Sequence, residues 1–161
     1  MGSLTFSSHS VGETRQLGEA LGRVLQDGDF VGMVGELGAG KTEFARGIAQ
    51  GLGVPEEEVA SPSFAIVHAY RGRIPLTHVD LYRLTGREDL EGTGFYELRD
   101  GPGATMVEWL DRFPVAAPPD GVTILFVEPA EGQRELHVEP SGPRSVQLVE
   151  RWRDELLGRS G

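Results

Sequence analysis

Two apolar periodicities alternate along the chain, and the switches between them lay out its elements. Leu17, Leu21, Val24 and Leu25 recur at helical spacing behind Ser10-Val11-Gly12-Glu13, a capping-box pattern. They predict a first amphipathic helix that stops near Gln26-Asp27-Gly28. An apolar run at 30–34 has the length of a buried strand. Phe44, Ile48 and Leu52 return to helical spacing and end at Gly53. Val54-Pro55-Glu56-Glu57-Glu58 reads as an acidic turn, or as a short helix with Pro55 at its start. Strand-like runs at 64–70 and 74–80 are separated only by Arg71-Gly72-Arg73. So short a link cannot hold a parallel crossover, so the two runs form a hairpin. A further strand is predicted at 104–108, after Gly101-Pro102-Gly103. Runs at 122–127 and 135–138 predict a second hairpin around Glu131-Gly132-Gln133, and Val149, Trp152 and Leu156 mark a C-terminal helix. The expected fold is α/β, with a mixed parallel and antiparallel sheet flanked by helices. Strand order is not legible in the pattern.

Between the strand at 30–34 and the next helix lies Gly35-Glu36-Leu37-Gly38-Ala39-Gly40-Lys41-Thr42. It fits G-x-x-x-x-G-K-[ST] at every fixed position, and strand, glycine loop and helix follow in the order that a phosphate-binding P-loop requires. The glycines let backbone N–H groups from Glu36, Leu37, Gly38, Ala39 and Gly40 converge on phosphate oxygens at a helix N-terminus. The expected ligand is ATP or ADP with Mg²⁺: Lys41 is expected to meet the β-phosphate and, in ATP, the γ-phosphate, and the Thr42 hydroxyl to hold the metal.

Such a loop needs carboxylates to hold the metal and orient water. Asp80 and Glu108 each close an apolar strand, which delivers them to the sheet edge where the loop sits. Lys41, Asp80 and Glu108 are therefore the expected catalytic residues, and Thr42, Asp80 and Glu108 the expected metal ligands. His78 reads as a sheet residue rather than a base. Ser61-Pro62-Ser63-Phe64 sits where switch loops sense the γ-phosphate, with Ser63 the candidate hydroxyl. If Glu108 faces the nucleotide, Trp109 either points elsewhere, as strand alternation requires, or begins the loop; core packing is its expected role and a partner or substrate contact the alternative.

Composition narrows the setting. At 161 residues and 39% hydrophobic, the chain suits one domain over 1–161 with a real core. It contains no cysteine, which excludes disulfides and thiolate metal sites. No apolar stretch approaches the length of a membrane span, and Met1 to Ser10 lacks a signal-peptide profile. The expected location is the cytoplasm. The net charge is −10 and Lys41 is the only lysine, so no basic patch offers a footprint for DNA or RNA. If the chain serves an RNA pathway, the expectation is that it reaches the RNA through a partner.

These pieces together resemble the TsaE (YjeE) family of bacterial P-loop ATPases of tRNA threonylcarbamoyladenosine synthesis. The resemblance rests on Glu13-Thr14 with Leu17-Gly18, the P-loop, and Phe44 with Arg46-Gly47. It continues through Ser61-Pro62-Ser63-Phe64, His78-Val79-Asp80-Leu81-Tyr82-Arg83-Leu84, Gly94 with Glu97, Glu108-Trp109, and Gly132 with Arg134. It implies an ATPase that is weak alone and acts with TsaB and TsaD to make N6-threonylcarbamoyladenosine at position 37 of tRNA. Thr42 and Glu108 are implied as magnesium ligands, Asp80 as an acid close by, and the turns at Ser10 and Gly132 as borders of the nucleotide. Two positions depart from the family pattern, Ser63 and Glu43, where it usually has threonine. Like charge near a phosphate is expected to turn the Glu43 carboxylate away and leave its backbone N–H as the donor. A small-molecule kinase and a non-hydrolytic, nucleotide-dependent assembly module remain as other uses of the same loop.

Overall fold

The computed structural model describes residues 4–35, 40–60, 67–82, 84 and 86–159. The central strand is β2 (Phe30–Gly35), whose first four residues are buried because both faces are covered. It pairs in parallel with β5 (Ala104–Glu108) on one side and β6 (Val122–Val127) on the other. β4 (Pro75–Asp80) continues the parallel set beyond β5. Both predicted hairpins form. β3 (Val67–Arg71) folds back on β4, and β7 (Arg134–Pro140) on β6. β1 (Leu4–Ser8), which the sequence pattern missed, pairs antiparallel with β7. The order is β1-β7-β6-β2-β5-β4-β3. Residues 64–66 of the predicted third strand lie outside the described residues.

Side-chain alternation divides the core in two. Val31, Met33, Met106, Ile124 and Phe126 face α1 (Val11–Val24), α2 (Lys41–Gly51) and α6 (Pro143–Arg159). Phe30, Val79 and Val107 face the opposite way, under α4 (Arg87–Gly92), α5 (Phe95–Arg99) and the turns after β5. A one-turn helix, α3 (Glu56–Ala60), forms at the acidic segment.

The Ser10 cap forms as the sequence predicts. Its Oγ accepts the Glu13 amide at 3.0 Å, while the Glu13 carboxylate accepts the amide of His9 at 2.8 Å. α1 and α2 cross at backbone distance. A Cβ on Gly18 or Gly22 would strike the α2 backbone, and one on Gly47 or Gly51 would strike α1. Trp152 locks α6 over this pair. It is fully buried, its indole N–H donates to the Leu17 carbonyl at 2.9 Å, and its ring lies 5.8 Å from that of Phe44. Removing so large a buried side chain costs about 3–5 kcal/mol.

Candidate functional site

The C-terminal ends of β2, β4 and β5 come together where β2 is flanked by β5 on one side and β6 on the other. Connections leave such a sheet in opposite directions at this point, which opens a crevice for a ligand. β2 runs out at Gly35, and α2 starts at Lys41 behind Gly40, whose φ of 102° is left-handed. Among the described residues no side chain caps the first turn of α2, which leaves its amides to an anion.

Lys41 is buried, at 5% exposure. Its ammonium donates to the Gly35 carbonyl and sits 3.7 Å from the centroid of the Trp109 ring. Both partners hold a desolvated cation in place. Thr42 is exposed, with Oγ1 3.4 Å from Glu108 Oε1. Glu108 is buried, and its other oxygen lies 2.6 Å from His78 Nε2. Asp80 stands opposite Glu108 in the β4–β5 register, but its Oδ1 accepts the Tyr82 amide at 3.0 Å. The strand ends therefore bring Lys41, Thr42 and Glu108 together, with Asp80 beside them on a turn.

A cavity of about 420 Å³ opens over this group. Gly40, Lys41, Thr42 and Glu43 line it with Glu108 and Trp109. Ser10 and Thr14 at the α1 start, with Gly132 and Arg134 where β6 turns into β7, also line it. The Glu43 carboxylate is paired with Arg15 at 2.5 Å and Arg46 at 3.5 Å. Glu36, Leu37, Gly38, Ala39 and Ser63 lie outside the described residues, as do the rest of 61–64.

Of the two courses open to Trp109, it takes the second and begins the loop. Its φ of 62° and ψ of 40° are left-handed, so the pleat ends at Glu108 and the next ring swings back over Lys41. It rests partly on the smaller core cluster and on the Tyr82 ring, 4.9 Å away, while lining the cavity. Sequence reasoning also gave no site role to Thr14 or Arg134, and it did not connect His78 to Glu108. The signal for Arg134 was its place directly after the turn at Gly132. The His78–Glu108 contact depends on sheet register, which has no local signal.

The donor set suits a nucleotide. A buried ammonium and uncapped amides match phosphate oxygens, while a hydroxyl and a carboxylate are the hard oxygen ligands that Mg²⁺ prefers. Among the described residues, no three His, Asp or Glu side chains cluster tightly enough to hold a metal alone. A Mg²⁺ ion here would complete its shell with water and phosphate oxygens, its usual habit. No helix among the described residues is long and apolar enough to cross a membrane.

Comparison with known proteins bears on family and fold. The family model described as threonylcarbamoyl adenosine biosynthesis protein TsaE matches residues 8–136. A tRNA threonylcarbamoyladenosine biosynthesis protein TsaE from Treponema pallidum is 40% identical over 131 residues, covering 81% of this chain and 96% of that protein. The protein of that name from Bacillus subtilis is 33% identical over 139 residues, covering 86% of each. The crystal structure of Bacillus subtilis YdiB superposes with a TM-score of 0.80 at 28% identity, covering 94% of this chain and 95% of that one. The mixed sheet flanked by helices is thus a P-loop fold. With the signature matched along most of its length and full-length relatives above 30% identity, the chain belongs to the TsaE family of threonylcarbamoyl adenosine biosynthesis proteins.

Proposed function

We propose that this chain is a Mg²⁺-dependent ATPase of the cytoplasm, weak alone and activated by TsaB and TsaD. In this reading it drives the cycle that makes N6-threonylcarbamoyladenosine at position 37 of tRNA, and it reaches tRNA only through those partners. One observation carries the reading: Lys41 and Thr42 at the start of α2 meet Glu108 at the end of β5 over a single cavity.

Thr42 and Glu108 would hold the metal, which supplies positive charge against the phosphate oxygens. Lys41 adds a second positive charge from a site it already occupies, so little reorganisation is needed. His78 fixes the direction of the Glu108 carboxylate. Asp80, one strand away, would orient water near the γ-phosphate. Trp109 and the α1 start narrow the cavity and exclude solvent from it.

The test is phosphate release by the purified chain, with and without its cognate TsaB and TsaD, and with Lys41→Ala as control. Release should be slow alone, rise with both partners, and vanish in Lys41→Ala. Rapid release that requires a small-molecule acceptor would replace this reading with a kinase. Nucleotide-dependent complex formation with no turnover would replace it with an assembly module.

A further inference from the structure

The face of α2 that meets α1 carries Glu43, Gly47 and Gly51, one turn apart. The two glycines let the helices touch backbone to backbone, and a Cβ on Gly47 would strike the Arg15 carbonyl. That contact places the Arg15 side chain opposite Glu43, at the pocket end of the crossing. Arg15 Nη2 donates to Glu43 Oε2 at 2.5 Å, and its Nε donates to the same oxygen at 3.1 Å. Arg46 reaches the other oxygen at 3.5 Å from within α2. The hydrogen bond and the charge of Glu43 hold the Arg15 guanidinium above the ordinary arginine range.

Glu43 is poorly suited to its place. It follows Thr42 in the first turn of α2, and it lines the same cavity. A carboxylate there repels any anion that the helix start would attract. In this structure the charge is drawn sideways onto α1 and matched.

We infer that Arg15 is a positioning residue for the phosphate site: it holds the Glu43 carboxylate against α1 and cancels its charge, keeping the start of α2 open to an anion. The inference rests on the proposal that the pocket takes a nucleotide. It gives this chain a compensated pair at a position where a threonine would need no partner.

Titration calorimetry with ADP on the full chain tests it, using the parent, Arg15→Gln, Glu43→Gln and the double variant. Arg15→Gln should weaken ADP binding about three- to tenfold at low salt, in keeping with a half-exposed pair. In the Glu43→Gln background the same change should cost at least about threefold less, because no carboxylate is left to release. The deficit of Arg15→Gln should narrow between about 0.05 and 0.5 M salt, which a packing defect would not do. Glu43→Gln alone should bind ADP at least as tightly as the parent. That arm leaves α1 untouched and decides the matter even where Arg15→Gln fails to fold.

Equal losses in the two backgrounds would make Arg15 a bare attractive charge and overturn the inference. Unchanged binding in Arg15→Gln, or weaker binding in Glu43→Gln, would overturn it as well. A parent that does not bind ADP, or a Lys41→Ala variant that binds it equally well, removes the nucleotide reading itself. Where the parent binds and Lys41→Ala does not, the Arg15 results bear on the inference alone.

Discussion

Glu108 and His78 are joined by a 2.6 Å hydrogen bond between adjacent parallel strands. In register His78 faces Met106, and Glu108 faces Asp80, so the bond runs diagonally across one face of the sheet. It pins one carboxylate oxygen and leaves the other toward Thr42. With its side chain only 7% exposed, Glu108 has little freedom to present that oxygen in another direction. His78→Leu should therefore lower partner-stimulated turnover about tenfold and raise the Mg²⁺ requirement, as loss of an outer-shell partner does. ADP affinity should move less than about threefold, because His78 is not part of the cavity lining. Steady-state kinetics over a Mg²⁺ series would check this, and wild-type kinetics would mean that Glu108 is oriented without His78.

Lys41 lies against Trp109, so a phosphate arriving at the ammonium should change the emission of that indole. The only other tryptophan, Trp152, is fully buried and hydrogen-bonded, and provides a constant background. Adding ADP should change the fluorescence of the parent but not of Trp109→Phe. Lys41→Ala should weaken ADP binding more than about tenfold, since hydrogen bonds to charged groups contribute about 1.5–3 kcal/mol each. A response that survives in Trp109→Phe would place the reporter elsewhere.

Asp80 and Glu108 are neighbours in register but differ in their partners. Asp80 already accepts the Tyr82 amide, whereas Glu108 faces Thr42. Asp80→Asn should lower kcat at least about tenfold with little change in nucleotide affinity, the signature of a group that acts in the transition state. Glu108→Gln should weaken the Mg²⁺ dependence of binding as well. Matching small effects in both variants would move the metal role to other residues.

His68 predicts a pH effect on stability. Burial, and then the charge of His78, holds its pKa below the usual 6.5. The folded chain therefore takes up this proton less readily than the unfolded chain. Its contribution to stability is complete above 6.5 and is lost as pH falls through 6.5 toward the folded value. Thermal midpoints measured at about pH 8 and pH 5.5 should differ less in His68→Gln than in the parent. An equal difference in both would assign the pH dependence to other groups.

Long periodic segments were legible in the sequence because burial on one face leaves a repeating trace. α1, α2, α6 and both hairpins were of this kind. β1 was missed because it has five residues, with Leu4 and Phe6 set among polar neighbours and no turn signal before them. α4 and α5 are single turns in which Leu90 and Phe95 supply the buried anchors, too few for a period. At the site, the motif supplied Lys41 and Thr42, and strand ends supplied Glu108. The position of the Trp109 ring over Lys41 escaped because it depends on a left-handed backbone that has no signal in the pattern. The pairing of Arg15 with Glu43 escaped because it needs two helices at contact distance, and only the glycines on their facing sides hinted at that.

Trp152 packs against Phe44, on the helix that presents Lys41 and Thr42, and against Phe6 of β1. Both Phe6 and Trp152 fall outside residues 8–136, where the family signature lies. The helix that carries Lys41 and Thr42 is thus mounted from behind on residues that the signature leaves unspecified. Drift in that mounting alters how stiffly the lysine is delivered while every motif letter stays the same. Relatives with identical loops can in this way differ in tolerance to heat or substitution, through a part of the chain that motif comparison never scores.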